Sequence, residues 1–302
     1  MKFLVVGSGG REHAIIKKLI ENHTVGCVST WINPGIKSIV SYYHITTDIV
    51  GDIITIYNAL HPDIVFIGPE QPIVDGISDI CLDNLIPCIA PLKDMALIES
   101  SKSQARNLLF SIPELSKYNP IILDGIQNSI CSLDYTQTSN QTSINTSFQD
   151  VYDSFITKVD QYVIKCDGLK GGKGVYVQGD HFNTHGEGSQ IIDKIKKTDN
   201  FILEEKLVGE EFSVFTFSDG IHYQHSPPIK DYKRAYSGDT GPNTGGMGSI
   251  SVYDNNSYLF NFLTDKDLAE AQFINETVLR KFKETDVVGY VGILYGSFMK
   301  TE

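Results

Sequence analysis

Four short segments of this sequence concentrate residue types that can handle phosphate. The run Lys165-Cys166-Asp167-Gly168-Leu169-Lys170-Gly171-Gly172-Lys173-Gly174 sets three lysines among four glycines. Its flanks, Gln161–Cys166 and Val175–Gln178, are apolar enough to be strands, so the run is a glycine-rich hairpin. It is no Walker A loop, because neither Ser nor Thr follows a lysine and no helix follows the loop. A hairpin of this kind suits a flap over nucleotide phosphates; an ordinary flexible turn is the competing reading. The second segment, Gly7-Ser8-Gly9-Gly10-Arg11-Glu12-His13, lies between a strand and a helix. Glycines allow close backbone approach, a helix N-terminus offers free N–H groups, and Arg11 adds a two-pronged phosphate donor. A tight βα turn or a dinucleotide loop would share these features, although Glu12 stands where the third glycine of the dinucleotide pattern belongs. The third is Asp231-Tyr232-Lys233-Arg234 with Gly238-Asp239-Thr240-Gly241-Pro242-Asn243-Thr244-Gly245-Gly246-Met247-Gly248. Five glycines in eleven residues predict an irregular loop, wrapped closely around a ligand. The fourth, Glu204-Glu205-Lys206-Leu207-Val208-Gly209-Glu210-Glu211, has a solvated acidic loop as its plainer reading, which we hold for Glu210.

The elements that must position these segments follow from apolar periodicity. Lys2–Val6, Val25–Ser29, Ile64–Ile67 and Cys88–Ala90 read as buried strands, with helices after Gly10 and over Ile53–Leu60 and Val74–Leu82. Alternating strands and helices predict a parallel α/β sheet with ligands at the carboxyl ends of its strands. Met95–Phe110 reads as one helix carrying Glu99, Lys102 and Arg106. Asn119–Asp150 changes character, and its polar stretch Tyr135–Phe148 is expected to be an inserted surface loop. Beyond it come strands at Phe201–Glu205 and Glu211–Phe217, a short helix at Ile191–Lys197 and a long amphipathic helix at Leu268–Phe282. The chain stops inside an apolar run, Val291–Met299, as a domain cut within a strand would.

Composition removes several classes of function. With 25 Lys and Arg against 37 Asp and Glu the net charge is −12, which argues against nucleic-acid binding, since that needs a basic surface. No window supplies the ~20 apolar residues of a membrane helix. Met1–Gly7 lacks the pattern of a signal peptide, so a cytoplasmic, globular protein is expected, acting as a monomer. Cys27, Cys81, Cys88, Cys131 and Cys166 are odd in number and lack ligand spacing, which argues against disulfides and metal ligation.

Together and in this order, the segments Val5–Ala14, Gly68–Asp79, Ala90–Gln104, Val163–Val177, Glu204–Ser213, Asp231–Ser249 and Leu294–Thr301 resemble the glycinamide ribonucleotide synthetase (phosphoribosylamine–glycine ligase) family of the ATP-grasp superfamily. The resemblance implies a Rossmann-like domain over residues 1–100 and an incomplete ATP-grasp α+β domain over 101–302, with an insertion at about 119–150. It implies ATP-dependent joining of glycine to 5-phosphoribosylamine through a glycyl phosphate. ATP would be held by Lys102, Lys165, the flap Gly171, Gly172, Lys173 and Gly174, then Glu204 and Leu207 at the adenine edge and Glu211 at the ribose. Gly9, Gly10, Arg11, Glu70 and Asp75 would take phosphoribosylamine, and Asn243, Thr244, Gly245 and Gly246 would touch substrate. Asp231, Lys233, Arg234 and Asn243 would surround the reacting centre. Mg²⁺ or Mn²⁺ would accompany ATP, but family members carry a Glu-Phe-Asn metal motif and an Arg-Phe-Gly-Asp-Pro-Glu segment past the position of Glu302, so no metal ligand is expected in this chain. Cys166 replaces a usual Ala, Lys170 and Gly171 a small pair, and Tyr232 a His. The alternatives are a nucleotide-binding or phosphoribosyl-binding derivative without turnover, an N-terminal portion of the ligase, or a ligase with a related substrate.

Overall fold

The computed structural model describes residues 1–127, 129–131, 147–170, 174–238, 240–251, 253–254, 257–258, 260–286 and 288–301. The chain divides into two compact units. The first comprises Met1–Leu97, Ser218–His222 and Phe282–Ile293, and the second comprises Ile98–Phe217, Tyr223–Lys281 and Leu294–Glu302.

In the first unit, β1 (Lys2–Val6), β2 (Thr24–Ser29), β3 (Tyr42–Ile45), β4 (Ile64–Ile67) and β5 (Cys88–Ile89) form a sheet in the order β3-β2-β1-β4-β5. All its pairings are parallel. Helices α1 (Gly10–Leu19), α2 (Pro34–Lys37), α3 (Ile49–Leu60), α4 (Glu70–Val74) and α5 (Ile77–Asp83) connect the strands. Successive side chains of β1 serve opposite faces, as a sheet covered on both sides requires. Leu4 and Val6 pack with Ile53, Ile56 and Ile77, while Phe3 and Val5 pack with Ile16 and Ile36. The expected helix at Val74–Leu82 is two, because Gly76 takes φ +94° between them. Periodicity also gave no sign of α2 and β3, which are only four residues each.

The second unit begins with α6 (Leu97–Ser100) and α7 (Lys102–Ser111). These replace the single helix expected over Met95–Phe110, since Ser101 is extended (φ −133°, ψ 115°) and its hydroxyl accepts from Gln104 N–H. A five-stranded antiparallel sheet follows in the order β7-β6-β10-β8-β9. Its strands are β6 (Ile122–Asp124), β7 (Ser129–Cys131), β8 (Tyr162–Cys166), β9 (Val175–Val177) and β10 (Phe201–Glu205). Helices α8 (Phe148–Ile156) and α9 (His185–Ile195) contribute Tyr152, Phe155, Ile192 and Ile195 to the core beside Leu123, Tyr162, Ile164 and Leu203.

The inserted loop expected over 119–150 therefore has ordered flanks. β6 is fully buried, and α8 starts at Phe148 behind a capping box of Ser147 and Asp150. Residues 132–146, at the centre of that expectation, lie outside the described residues. The expected helix at Ile191–Lys197 begins earlier, at His185, because Thr184 and Glu187 form a capping box there.

A third sheet, β12-β11-β17, is built from β11 (Glu210–Asp219), β12 (Tyr223–His225) and β17 (Val291–Lys300). The long helix α10 (Asp265–Thr285) places Leu268 and Ala271 against Phe212 and Val214 of β11. A hairpin of β13 (Lys230–Tyr236) and β14 (Thr240–Ile250), and a short pair β15 (Tyr253–Asp254) and β16 (Ser257–Tyr258), complete the strands described. The glycine-rich run expected to be irregular is thus strand β14. Its glycines do not prevent pairing; they distort it, with register shifts at two points and positive φ at Gly241, Gly246 and Gly248.

Candidate functional site

The second unit holds a cavity of about 550 Å³, lined by Arg106, Lys165, Glu204, Leu207, Glu211 and Ser297 among others. That volume suits a nucleotide-sized ligand. Antiparallel pairing of β8 with β10 sets Lys165 opposite Ile202 and Val163 opposite Glu204, so Lys165 and Glu204 are diagonal neighbours on one face. Lys165 Nζ donates to Glu204 Oε2. Arg106, from α7, donates from Nε to Oε1 (2.8 Å) and from Nη2 to Oε2 (3.2 Å) of the same carboxylate. Burial alone would raise the Glu204 carboxyl, but Arg106 and Lys165 outweigh it and hold it down at about 2.

Lys165, Glu204, Leu207 and Glu211 were all expected on ATP, and the fold brings them to this one cavity. Glu211 Oε1 accepts from Lys233 Nζ (2.7 Å) and Ser297 Oγ (3.3 Å), which joins β13 to the cavity wall. Arg106 stands in the sequence simply as part of a helix. Its spacing of four from Lys102 on that helix was the available signal, since i and i+4 share a face.

Lys102 has a different environment. Its Nζ donates to Gly168 O (2.9 Å), and its backbone N–H donates to Asp167 Oδ1 (2.5 Å). Asp167 also accepts from the hydroxyls of Ser101 (2.9 Å) and Ser103 (3.1 Å), so a carboxylate of the glycine hairpin caps the start of α7. Burial lowers the Lys102 ammonium from its usual value, against the pull of Asp167. The hairpin strands are tied by Cys166 N–H to Gly174 O (2.8 Å), and Gly174 adopts φ +77°. Lys170 pairs with Asp199. Gly171, Gly172 and Lys173, like Asp239 and Glu302, lie outside the described residues.

On the β13–β14 hairpin, Arg234 donates to Gly241 O (2.9 Å) and to Asp180 Oδ2 (2.7 Å). Thr244 Oγ1 donates to Lys233 O (3.0 Å) and accepts from Gly246 N–H (3.1 Å). A Cβ added at Gly245 or Gly246 would meet nothing within 4 Å among the described residues, so packing does not demand glycine there. Asp231 pairs with Ser249 in the strand register, and Asn243 with Arg234.

In the first unit, the loop after β1 is organised by Glu12, the residue that seemed misplaced. Its buried carboxylate accepts from Gly9 N–H (2.6 Å) and from Arg11 Nε (3.1 Å). A Cβ at Gly9 would lie 2.8 Å from Glu12 Oε2, and one at Gly7, at φ +107°, would lie 2.7 Å from Pro69 Cδ. Gly7 is therefore required by its positive φ and by Pro69, while Gly9 leaves room for the Glu12 carboxylate folded beneath the loop. Arg11 Nη1 donates to Glu70 Oε1 (2.9 Å), and although burial pushes the Glu70 carboxyl up, this bond keeps it below its usual value. Gly10 opens α1, where a Cβ would meet nothing within 4 Å. Asp75 follows α4 and accepts from Gln71 Nε2 (2.9 Å).

The described carboxylates do not make a cation cage. Asp267 is engaged by Lys300, Glu211 by Lys233 and Ser297, and no group of three or more His, Cys, Asp or Glu is arranged to hold a metal among the described residues. Nor is any helix of the described residues long and apolar enough to cross a membrane.

Known proteins match this chain throughout. The family model for phosphoribosylglycinamide synthetase, N domain, matches residues 1–99, and the model for its ATP-grasp (A) domain matches residues 127–302. Phosphoribosylamine–glycine ligase of Methanocella arvoryzae is 35% identical over 310 residues, covering 100% of this chain and 64% of the relative. That of Methanothermobacter thermautotrophicus is 36% identical over 307 residues, covering 99% and 64%. The chain thus spans about 64% of the length of these curated relatives. Among solved structures, phosphoribosylamine–glycine ligase from Thermotoga maritima aligns with TM-score 0.70 at 24% identity, over 100% of this chain and 66% of that one. The biotin carboxylase domain of Hydrogenobacter thermophilus 2-oxoglutarate carboxylase, determined with MgADP, aligns with TM-score 0.63 at 9% identity, over 99% and 61%. At such identities these likenesses show the fold, a parallel-sheet unit followed by an ATP-grasp domain.

Proposed function

Because the chain belongs to the phosphoribosylglycinamide synthetase family, we propose that it supplies the nucleotide-binding and phosphoribosyl-binding parts of an ATP-dependent ligase joining glycine to 5-phosphoribosylamine. The γ-phosphoryl group of ATP would pass to the glycine carboxylate; the amine would then attack the acyl phosphate, form the amide and release phosphate. The observation that carries this reading is the cavity in which Lys165, Glu204, Leu207 and Glu211 meet.

Each residue has a task suited to its chemistry. Lys165 offers a compact positive charge to the phosphates. Leu207 gives an apolar wall to the base, and the Glu211 carboxylate can accept from ribose hydroxyls once Lys233 is drawn toward substrate. Gly174 belongs to the hairpin that would cover the phosphates, and Lys102, at the start of α7, is bonded to that hairpin at Gly168 O; excluding water there would protect the acyl phosphate from hydrolysis. In the first unit, Gly9, Gly10 and Arg11 offer a helix start and a guanidinium to the ribose phosphate, with Glu70 and Asp75 as acceptors for its hydroxyls. Asp231, Lys233, Arg234 and the open glycine strand around Asn243 would approach the glycine and the amine. Mg²⁺ or Mn²⁺ would accompany ATP and neutralise charge on its phosphates.

The test is a calorimetric titration of the chain with ATP. Lys165→Met should weaken ATP binding by about 1.5–3 kcal/mol, the range for a hydrogen bond to a charged group. Wild-type affinity in that variant would overturn the assignment.

A further inference from the structure

The cavity of the second unit poses an electrostatic problem. Glu204, Glu205, Glu211, Asp267 and Glu270 all line it, and its cations are Arg106, Lys165 and Lys300. Lys300 is taken by Asp267. A polyanionic ligand entering this space therefore depends on the charge presented where Lys165 stands, and Lys165 is itself bonded to the buried carboxylate of Glu204. Left as an isolated pair, Lys165 and Glu204 would carry no net charge.

Arg106 changes that balance. It grips Glu204 in the two-pronged geometry that suits guanidinium and carboxylate, at 2.8 and 3.2 Å. Both oxygens are engaged, so the trio Arg106, Lys165 and Glu204 carries a net charge of +1. Arg106 Nη1 also donates to Asn119 Oδ1 (3.1 Å), which fixes the plane of the guanidinium. Glu204 is buried, with a side-chain exposure of 6%, so its charge must be compensated from within the protein.

We propose that Arg106 is a positioning residue for the nucleotide: by compensating Glu204 at both oxygens it leaves the charge of Lys165 available to the ligand's phosphates. This rests on the nucleotide reading above and extends it to a residue outside the expected set. A purely structural role, pinning α7 to β10, is the alternative, and the two differ in how charge and hydrogen bonding matter. In the positioning role, removing the positive charge weakens a phosphate-bearing ligand and spares a neutral one. In the structural role, both ligands suffer alike.

The experiment measures binding of ADP and of adenosine to wild type, Arg106→Gln, Arg106→Met and the double variant Arg106→Met with Glu204→Gln, with melting curves to confirm that each is folded. Arg106→Gln keeps a hydrogen-bond donor for Glu204 but no charge, so it remains informative if Arg106→Met does not fold. One charge removed at this range should lower ADP affinity about ten- to a hundredfold, while adenosine affinity falls by less than about threefold. The double variant restores the trio's net charge of +1, and should recover most of the ADP affinity lost in Arg106→Met. Equal losses for ADP and adenosine, wild-type ADP binding by Arg106→Gln, or a double variant no better than Arg106→Met would each overturn the proposal. Failure of the wild-type chain to bind ADP would overturn the nucleotide reading itself, and the proposal with it.

Discussion

At the scale of single residues, two buried carboxylates set the chemistry of the two units. Glu204 is held at about 2 against an ordinary value of 4.5. The unfolded chain therefore takes up the proton first as pH falls. The contribution of Glu204 to stability is complete above the ordinary value and is lost as pH drops through the folded one. Each pKa unit corresponds to about 1.4 kcal/mol, so the full effect is on the order of 3 kcal/mol. Urea unfolding of wild type and Glu204→Gln from about pH 5 to pH 2.5 should show the wild type losing stability more steeply across that window. Parallel curves would mean that Arg106 and Lys165 do not stabilise the ionised form. Glu12 teaches a different lesson about legibility. The sequence showed that it broke a glycine pattern, but not that it folds back beneath the loop to accept from Gly9 and Arg11. A side chain's destination depends on partners that spacing alone does not reveal.

At the scale of elements, apolar periodicity was a good guide where strands are continuous and buried, as at Lys2–Val6, Ile64–Ile67 and Phe201–Glu205. It failed where tertiary contacts decide. The helix over Met95–Phe110 is broken at Ser101 because Asp167, sixty-five residues from Lys102, caps the second half. Strand β14 is a strand despite its glycines because β13 supplies a partner along its length. β6 escaped notice because three apolar or acidic residues beside a polar stretch carry no period of their own. The Asp167 cap gives a direct test of its element. Asp167→Ala should cost about 1–2 kcal/mol, the upper range for a helix cap, because four donors lose their acceptor. Amide exchange within the first turn of α7 should rise in that variant more than in β6 or β10. Uniform change across the unit would instead indicate general destabilisation, and no change would show that the cap is dispensable.

At the scale of the whole molecule, the parallel sheet with Gly7–Glu12 at its strand ends and the antiparallel sheet with Lys165 and Glu204 belong to separate units, and the ligands assigned to them are separable. Hydrogen exchange with ADP should protect β8, β10 and the start of α7. Ribose 5-phosphate should protect the turn between β1 and α1. At a ligand concentration 100 times Kd the stabilisation available is about 2.7 kcal/mol, enough to slow exchange roughly a hundredfold where global opening controls it. Protection of the β1–α1 turn by ADP alone, with none at β8 and β10, would contradict the division of labour. The domain order itself was readable from the succession of alternating strands and helices followed by mostly strands, because that pattern is set by burial along the chain and needs no knowledge of partners.

The first unit is not one stretch of chain: it takes in Ser218–His222 and Phe282–Ile293 as well as Met1–Leu97. Within it, Phe282 stacks on Tyr290 at 5.7 Å, Gly220 lies against Val288, and Gly292, at φ +131°, sits against Pro91. On a translating ribosome these late pieces emerge roughly 120 to 200 residues after Leu97, which at about 5–20 residues per second is a delay of about 6–40 s. The strands of the parallel sheet are therefore made well before two segments of their own compact unit.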